Sequence, residues 1–123
     1  MIKFPITENK KEFELSYGFY YLYFSGGFSL ENLDQLEIQL LNTKTSETIT
    51  LKEKLLKPRE IINGEKVICC FEFQINNFAL YKLKIKNPEI LVMKNSALIS
   101  VNLIQKLLSK SNFGWENINV IIK

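Results

Sequence analysis

Two neighbouring segments near the middle of the chain show apolar and polar residues in alternation. In segment 65–75, every second position from Val67 is apolar: Val67, Cys69, Phe71, Phe73 and Ile75. In segment 80–86 the apolar positions are Tyr81, Leu83 and Ile85. Because side chains alternate between the two faces of a strand, both segments are predicted strands with one buried and one solvated face. The intervening residues 76–79 are short and contain two Asn, which predicts an antiparallel hairpin.

Most of the remaining chain also shows strand patterns. The other predicted strands are two within 1–16, then 18–25, 36–40, 48–51 and 118–122, and residues 90–93 form a short apolar run. Segments 36–40 and 48–51 flank a polar turn and predict a second hairpin. Segment 52–64 contains Pro58, which disfavours a continuous helix. It is predicted to be a crossover loop with at most one helical turn, ending in an Asn63-Gly64 turn.

Segment 97–108 fits two patterns. Ile99, Val101 and Leu103 have the spacing of a strand, whereas Ala97, Val101, Ile104 and Leu108 have that of a helix. The β-branched residues favour a strand at its start, and a short helix near 104–110 stays an option.

The pattern predicts an all-β protein. A chain of 123 residues fits a single domain, 1–123, with one hydrophobic core. We predict an antiparallel β-sandwich of seven or eight strands. A long connection between two hairpins fits a Greek key, of either jelly-roll or immunoglobulin-like topology.

Composition narrows the classes of partner. The net charge is only +3, and Arg59 is the single arginine, so the dense basic surface typical of nucleic-acid binding is missing. Cys69 and Cys70 are adjacent in a predicted strand, where their side chains diverge and do not pair with each other. Cys69 is predicted to lie in the core, and Cys70 in a second layer or half exposed. No signal-peptide pattern or long apolar segment is visible, so we expect cytoplasmic synthesis without a membrane span.

The inventory of chemical groups argues against an enzyme. The chain has no histidine, which removes the most common general base and metal ligand. Phosphate-binding glycine loops and nucleophile elbows are also absent. Two-carboxylate catalysis needs a pair of acids across a cleft, and the spacing of the available acids singles out no pair: Asp34, Glu72, Glu89 and Glu116. We therefore expect no catalysis, no cofactor and no bound metal.

Two groups of residues are candidates for binding. Segment 18–25 is aromatic on both faces, so an outward set of either Tyr20 with Phe24 or Phe19 with Tyr21 and Tyr23 is available for a sugar ring or a neighbouring subunit. The candidate contact residues are Phe19, Tyr20, Tyr21, Tyr23, Phe24 and Trp115. Lys82, Lys84 and Lys86 share one strand face. They form either a solvated surface or an electrostatic patch for phosphates or an acidic partner.

These features favour a non-catalytic assembly subunit with a protein partner or self-association. The concrete form is a small virion component, associated with a capsid, vertex or fibre, because compact β-sandwiches commonly build such shells. The alternative is a binding module that recognises carbohydrate or an extended peptide through surface aromatic residues.

Overall fold

The computed structural model describes residues 1–94 and 114–123, and the regular secondary structure of these residues is almost entirely β-strand. Three short 3-10 helices, Leu33–Gln35, Pro88–Ile90 and Trp115–Asn117, are the helical parts of the described chain. The described strands number twelve, more than expected because several are very short: β1 (Ile2–Pro5), β2 (Lys10–Leu15), β3 (Gly18–Ser25), β4 (Ser29–Glu31), β5 (Glu37–Asn42), β6 (Thr48–Ile49), β7 (Lys52–Glu53), β8 (Arg59–Ile62), β9 (Glu65–Ile75), β10 (Ala79–Lys86), β11 (Val92–Lys94) and β12 (Asn119–Ile122).

The strands form two main sheets and one small one. Within each sheet, every pair of neighbouring described strands is antiparallel. The six-stranded sheet has the order β1-β12-β3-β9, with β7 and β8 both along the outer edge of β9. The four-stranded sheet has the order β2-β10-β5-β6. A two-stranded sheet pairs β4 with β11. The protein is an antiparallel β-sandwich, which confirms the predicted fold class. The segments 97–108 and 104–110 lie outside the described residues.

The main hydrophobic core lies between the two larger sheets. Strands β3 and β9 supply Leu22, Phe24 and Phe73 from one side. Strand β10 supplies Tyr81 and Leu83 from the other, each about 1% exposed. The inward faces predicted for β10 and for the second half of β9 are therefore confirmed, because alternation reports burial directly.

The predicted hairpin of β9 and β10 is wrong. The two strands lie in different sheets, and residues 76–78 carry the chain across the sandwich. Both edges of β9 are already occupied, by β3 on one side and by β7 and β8 on the other. Strand β10 pairs with β2 and β5. The hairpin of β5 and β6 is confirmed, with Leu40 opposite Ile49. A six-residue run from Thr48 to Glu53 thus belongs to both sheets, through β6 and then β7.

A bulge in β9 moves two predicted core residues to the other face of the sheet. Leu22 is opposite Phe71 and Tyr23 is opposite Cys69, so Cys70 is an extra residue without a partner in β3. Cys70 is consequently fully buried in the main core rather than half exposed. Before the bulge, Val67 and Cys69 face outward, contrary to the uniform alternation expected from the sequence.

The outward residues before the bulge build a second, smaller core on the outer face of the six-stranded sheet. It consists of Tyr23, Ile62, Val67, Cys69 and Ile121. Each of them is less than 10% exposed. One end of this sheet is therefore covered by apolar residues on both faces. This explains why Val120, Ile121 and Ile122 in β12 are all apolar and buried, instead of alternating with polar residues.

Segment 52–64 is an interrupted edge strand, and the helical turn considered for it is absent. The backbone N–H of Lys54 donates to the carbonyl of Cys70 at 2.9 Å, and Cys69 donates to the carbonyl of Pro58 at 2.9 Å. Only residues 55–57 leave the edge of β9 between β7 and β8. The predicted Asn63-Gly64 turn is confirmed: both residues have positive φ, 51° and 79°, as a two-residue type I′ hairpin requires.

A chain of polar contacts crosses four adjacent strands at one end of the six-stranded sheet. The Nζ of Lys3 donates to Glu65 at 2.6 Å, and the Asn119 side chain donates to the other Glu65 oxygen at 3.2 Å. The backbone N–H of Asn119 donates to Oγ of the buried Ser25 at 2.9 Å. Partial burial raises the pKa of the Glu65 carboxyl, but hydrogen bonds involving Lys3, Ser25 and Asn119 outweigh it, and the pKa lies below its usual value.

We expect Glu65→Gln to lower the free energy of unfolding at pH 7 by roughly 1 kcal/mol, because it weakens a partly exposed ionic hydrogen bond. A carboxyl with a lowered pKa contributes stability above its unfolded pKa, and this contribution is lost as the pH falls through the folded value. The difference between wild type and variant should therefore shrink in urea denaturation below the ordinary pKa of 4.5. Exposed Glu89, changed to Gln, is the control. An equal difference at every pH would contradict the assignment.

Candidate functional site

The structure selects one of the two possible outward sets on β3. Phe19 lies opposite Gln74, and Tyr21 lies opposite Glu72, both on the outer face of the six-stranded sheet. Tyr20 and Phe24 face the main core: Phe24 is fully buried, and the Tyr20 ring stacks on Phe73 with centroids 5.6 Å apart. The outward set is therefore Phe19, Tyr21 and Tyr23.

Exposure falls steeply along this row. The side chains of Phe19, Tyr21 and Tyr23 are 74%, 39% and 4% exposed. Tyr23 is buried in the second core. Its burial raises the pKa of the hydroxyl, and the hydrogen bond with Glu60 raises it further. Lys123 Nζ also lies 5.9 Å from the Tyr23 ring centroid. Tyr23 is thus closed to partners, and Phe19 and Tyr21 are the two residues of this row that a partner can reach.

Charged residues frame the two exposed rings. Glu72 lies between Lys52 and Lys54, with N–O distances of 3.7 and 3.5 Å. The Lys54 ammonium also lies over the Tyr21 ring, 5.5 Å from its centroid. Single ion pairs at a surface contribute little stability. Their effect here is positional, because they hold Lys54 and Glu72 beside Tyr21.

The exposed rings line an open cleft of about 270 Å³. Its lining includes aromatic residues, a threonine, a glutamine, a glutamate and a lysine. The lining residues are Phe19, Tyr20, Tyr21, Thr50, Lys52, Glu72, Phe73 and Gln74. The hydroxyl of Tyr20 donates to the carbonyl of Ser16 at 2.9 Å, which fixes that ring. The cleft offers apolar ring faces for contact and polar groups for orientation, the usual composition of a small binding site.

The other sequence candidates lie elsewhere. Trp115 begins a 3-10 helix, is half buried and packs against the main core. Lys82, Lys84 and Lys86 lie on the outer face of the four-stranded sheet. Lys82 is directly opposite Glu12 and Lys86 is directly opposite Glu37, whereas Lys84 is opposite Lys10. The face around the lysine row is therefore of mixed sign, which weakens its attraction for phosphates.

The cysteines are poor nucleophiles. Burial raises the pKa of the Cys70 thiol to about 12, and burial also raises that of Cys69. Both thiols are consequently protonated at neutral pH, whereas a reactive cysteine needs the thiolate. Among the residues that the structure describes, no three His, Cys, Asp or Glu side chains converge as a metal site would require. In the same residues, no helix is long and apolar enough to cross a membrane.

Comparisons with known proteins add no constraint. No family model, curated protein or solved structure matches this chain. The site must therefore be interpreted from its own geometry.

Sequence reasoning did not single out the polar lining of the cleft or the loop beside it. Thr50 lies between β6 and β7, Lys52 lies in β7 and Gln74 in β9. They come together because β7 pairs with β9, a pairing that the pattern did not predict. Leu55 and Leu56 were not among the predicted contact residues either, although two adjacent leucines between lysines interrupt the alternation.

Proposed function

We propose that this protein is a non-catalytic assembly subunit that binds a neighbouring protein chain through the face around Phe19 and Tyr21. The observation that carries the proposal is the exposure of these two rings side by side within a frame of charged residues. Protein interfaces have this anatomy: aromatic residues at the centre contribute most of the binding energy, and a polar rim surrounds them.

The free energies of burial and of association indicate how large the contact with the partner must be. Burying the exposed parts of the two rings contributes of the order of 5 kcal/mol, at about 25 cal/mol per Å² and about 200 Å² per aromatic side chain. The loss of translational and rotational freedom costs roughly 4–15 kcal/mol. The two rings therefore do not hold a partner alone, and the binding surface must extend beyond the cleft.

The concrete setting that we propose is a virion, with the protein made in the cytoplasm and incorporated into a capsid, vertex or fibre-associated assembly. Small antiparallel sandwiches commonly serve as such building blocks, and this is an argument by analogy of fold. The buried thiols and the mixed-charge lysine face fit a structural role better than a catalytic or nucleic-acid-binding one.

Sedimentation velocity of the protein, alone and co-expressed with the products of its neighbouring genes, tests the proposal. We expect an oligomer or a complex at concentrations up to about 100 µM, where even weak assembly is detectable. Phe19→Ser should weaken it strongly. Phe78→Ser is the matched control, because Phe78 is 66% exposed but lies in the connection between β9 and β10. A strictly monomeric chain under all these conditions would overturn the proposal.

A second candidate is a module that binds carbohydrate or an extended peptide, and the composition of the cleft favours it. Phe19 and Tyr21 offer ring faces for stacking, and Thr50 and Gln74 offer hydrogen-bonding groups beside them. A glycan and peptide array read with wild type and Tyr21→Ala separates the candidates. Binding that is lost in the variant supports the module, and silence across the array by the folded protein rules it out.

A further inference from the structure

The most exposed large apolar side chains in the described part of the chain are two adjacent leucines. Leu55 and Leu56 are 95% and 86% exposed. They lie in the three-residue excursion between β7 and β8, where the hydrogen bonds of Lys54 and Pro58 hold the chain to β9 on either side. The excursion is therefore anchored at both ends, and its leucines contribute nothing to the core of a single copy.

The leucines follow directly, along the chain, the lysines that lie beside the cleft. Leu55 directly follows Lys54, whose ammonium lies over the Tyr21 ring. Two residues earlier, Lys52 lines the cleft itself. A highly exposed apolar pair therefore follows, within three or four residues of the chain, a residue that lines the aromatic cleft.

The charges around the leucines favour a second copy of the chain over an anionic membrane. Lys57 lies 3.6 Å from Glu53, and Lys52 and Lys54 both lie within 4 Å of Glu72. Three lysines are thereby balanced by two glutamates, which leaves a local net charge of only +1. Such a surface is attracted weakly to acidic lipid headgroups, and it repels its own copy very little.

We infer that Leu55 and Leu56 of one copy occupy the cleft of a second copy, in a dimer with two-fold symmetry. A two-fold axis brings the same patch of both copies together, so a projection beside a cleft on one surface meets its complement twice. A cleft of about 270 Å³ has room for aliphatic side chains. The inference rests on the proposed function and names its partner: the leucine pair extends the interface that the two aromatic rings alone leave too small.

Sedimentation equilibrium of the full chain tests the inference. We expect wild type to dimerise at concentrations below about 100 µM, and the double variant Leu55→Ser/Leu56→Ser to dimerise at least about 100-fold more weakly. The melting temperature of the double variant, measured under conditions where wild type is monomeric, should equal that of wild type, which shows that it folds. Phe78→Ser is again the control and should dimerise like wild type.

Mixing two variants tests the geometry. Phe19→Ser alters the cleft and the double leucine variant alters the projection, so each alone should be monomeric. Their mixture keeps one intact contact of the two, and we expect a heterodimer of intermediate affinity. No heterodimer in the mixture would contradict a reciprocal contact.

The possible failures are distinguishable. If Phe19→Ser abolishes assembly and the leucine variant leaves it unchanged, the inference is wrong and the proposed function stands. If the protein does not self-associate and binds only a different chain, the inference is likewise wrong and the proposed function stands. If vesicles containing phosphatidylserine bind the wild type and not the leucine variant, the leucines contact lipid, and this overturns the inference. A chain that binds no protein at all overturns both.

Discussion

Phe24→Ala is expected to lower the free energy of unfolding by about 3–5 kcal/mol, whereas Phe19→Ala should change it by less than about 0.5 kcal/mol. Both residues lie in β3, and the substitution removes the same atoms. Phe24 is fully buried in the main core, so its loss leaves a cavity between the sheets. Phe19 is 74% exposed, so its loss removes little buried surface.

Urea denaturation followed by fluorescence of the single tryptophan, Trp115, measures both values. The pair tests which face of β3 is outward, and the binding site depends on that assignment. Similar costs for the two variants would show that β3 is covered on both faces. A larger cost for Phe19 would reverse the assignment and remove the cleft as a site.

The second large effect concerns the small core on the outer face of the six-stranded sheet. We expect Ile121→Ala to cost about 2–4 kcal/mol, because Ile121 is 1% exposed and packs with Tyr23 and Val67. The control is Ile61→Ala. Ile61 lies in β8 and is 65% exposed, so it should cost less than about 0.5 kcal/mol.

Chemical denaturation of the Ile121 and Ile61 variants gives a direct comparison. Truncating an isoleucine on the solvated face of an ordinary sheet would change the free energy of unfolding very little. Equally small losses of unfolding free energy at both positions would therefore show that the second core contributes no stability. The Tyr23 side chain would then be accessible to a partner. A loss of stability confined to the Ile121 variant would establish that the second core covers the outer face of the sheet at this end.

The sequence pattern predicted burial well and pairing poorly, for a physical reason. Alternation records which face of a strand avoids water, and Tyr81 and Leu83 were placed correctly on that basis. A strand facing another across a core has the same alternation as a strand bonded to it in a hairpin. Hence β9 and β10 were predicted to pair, although their edges bond to other strands.

The candidate site was predictable in part. The aromatic character of β3 identified the strand, but both of its faces are aromatic, so the outward set was not decidable from the pattern. The bulge at Cys70 then shifts the faces of β9, and no residue in the sequence marks it. Tyr23 is covered by Ile62 and Ile121, which are distant along the chain, and such coverage depends on tertiary pairing that no local pattern specifies.

The six-residue run that contains β6 and β7 has a mechanical consequence. Thr50 and Lys52 line the cleft, and Thr48 and Ile49, immediately before them, bond to the edge of β5 in the opposite sheet. We therefore expect an occupant that immobilises Lys52 to slow amide hydrogen exchange in β6. By thermodynamic reciprocity, a substitution that loosens β6 should weaken binding of the occupant.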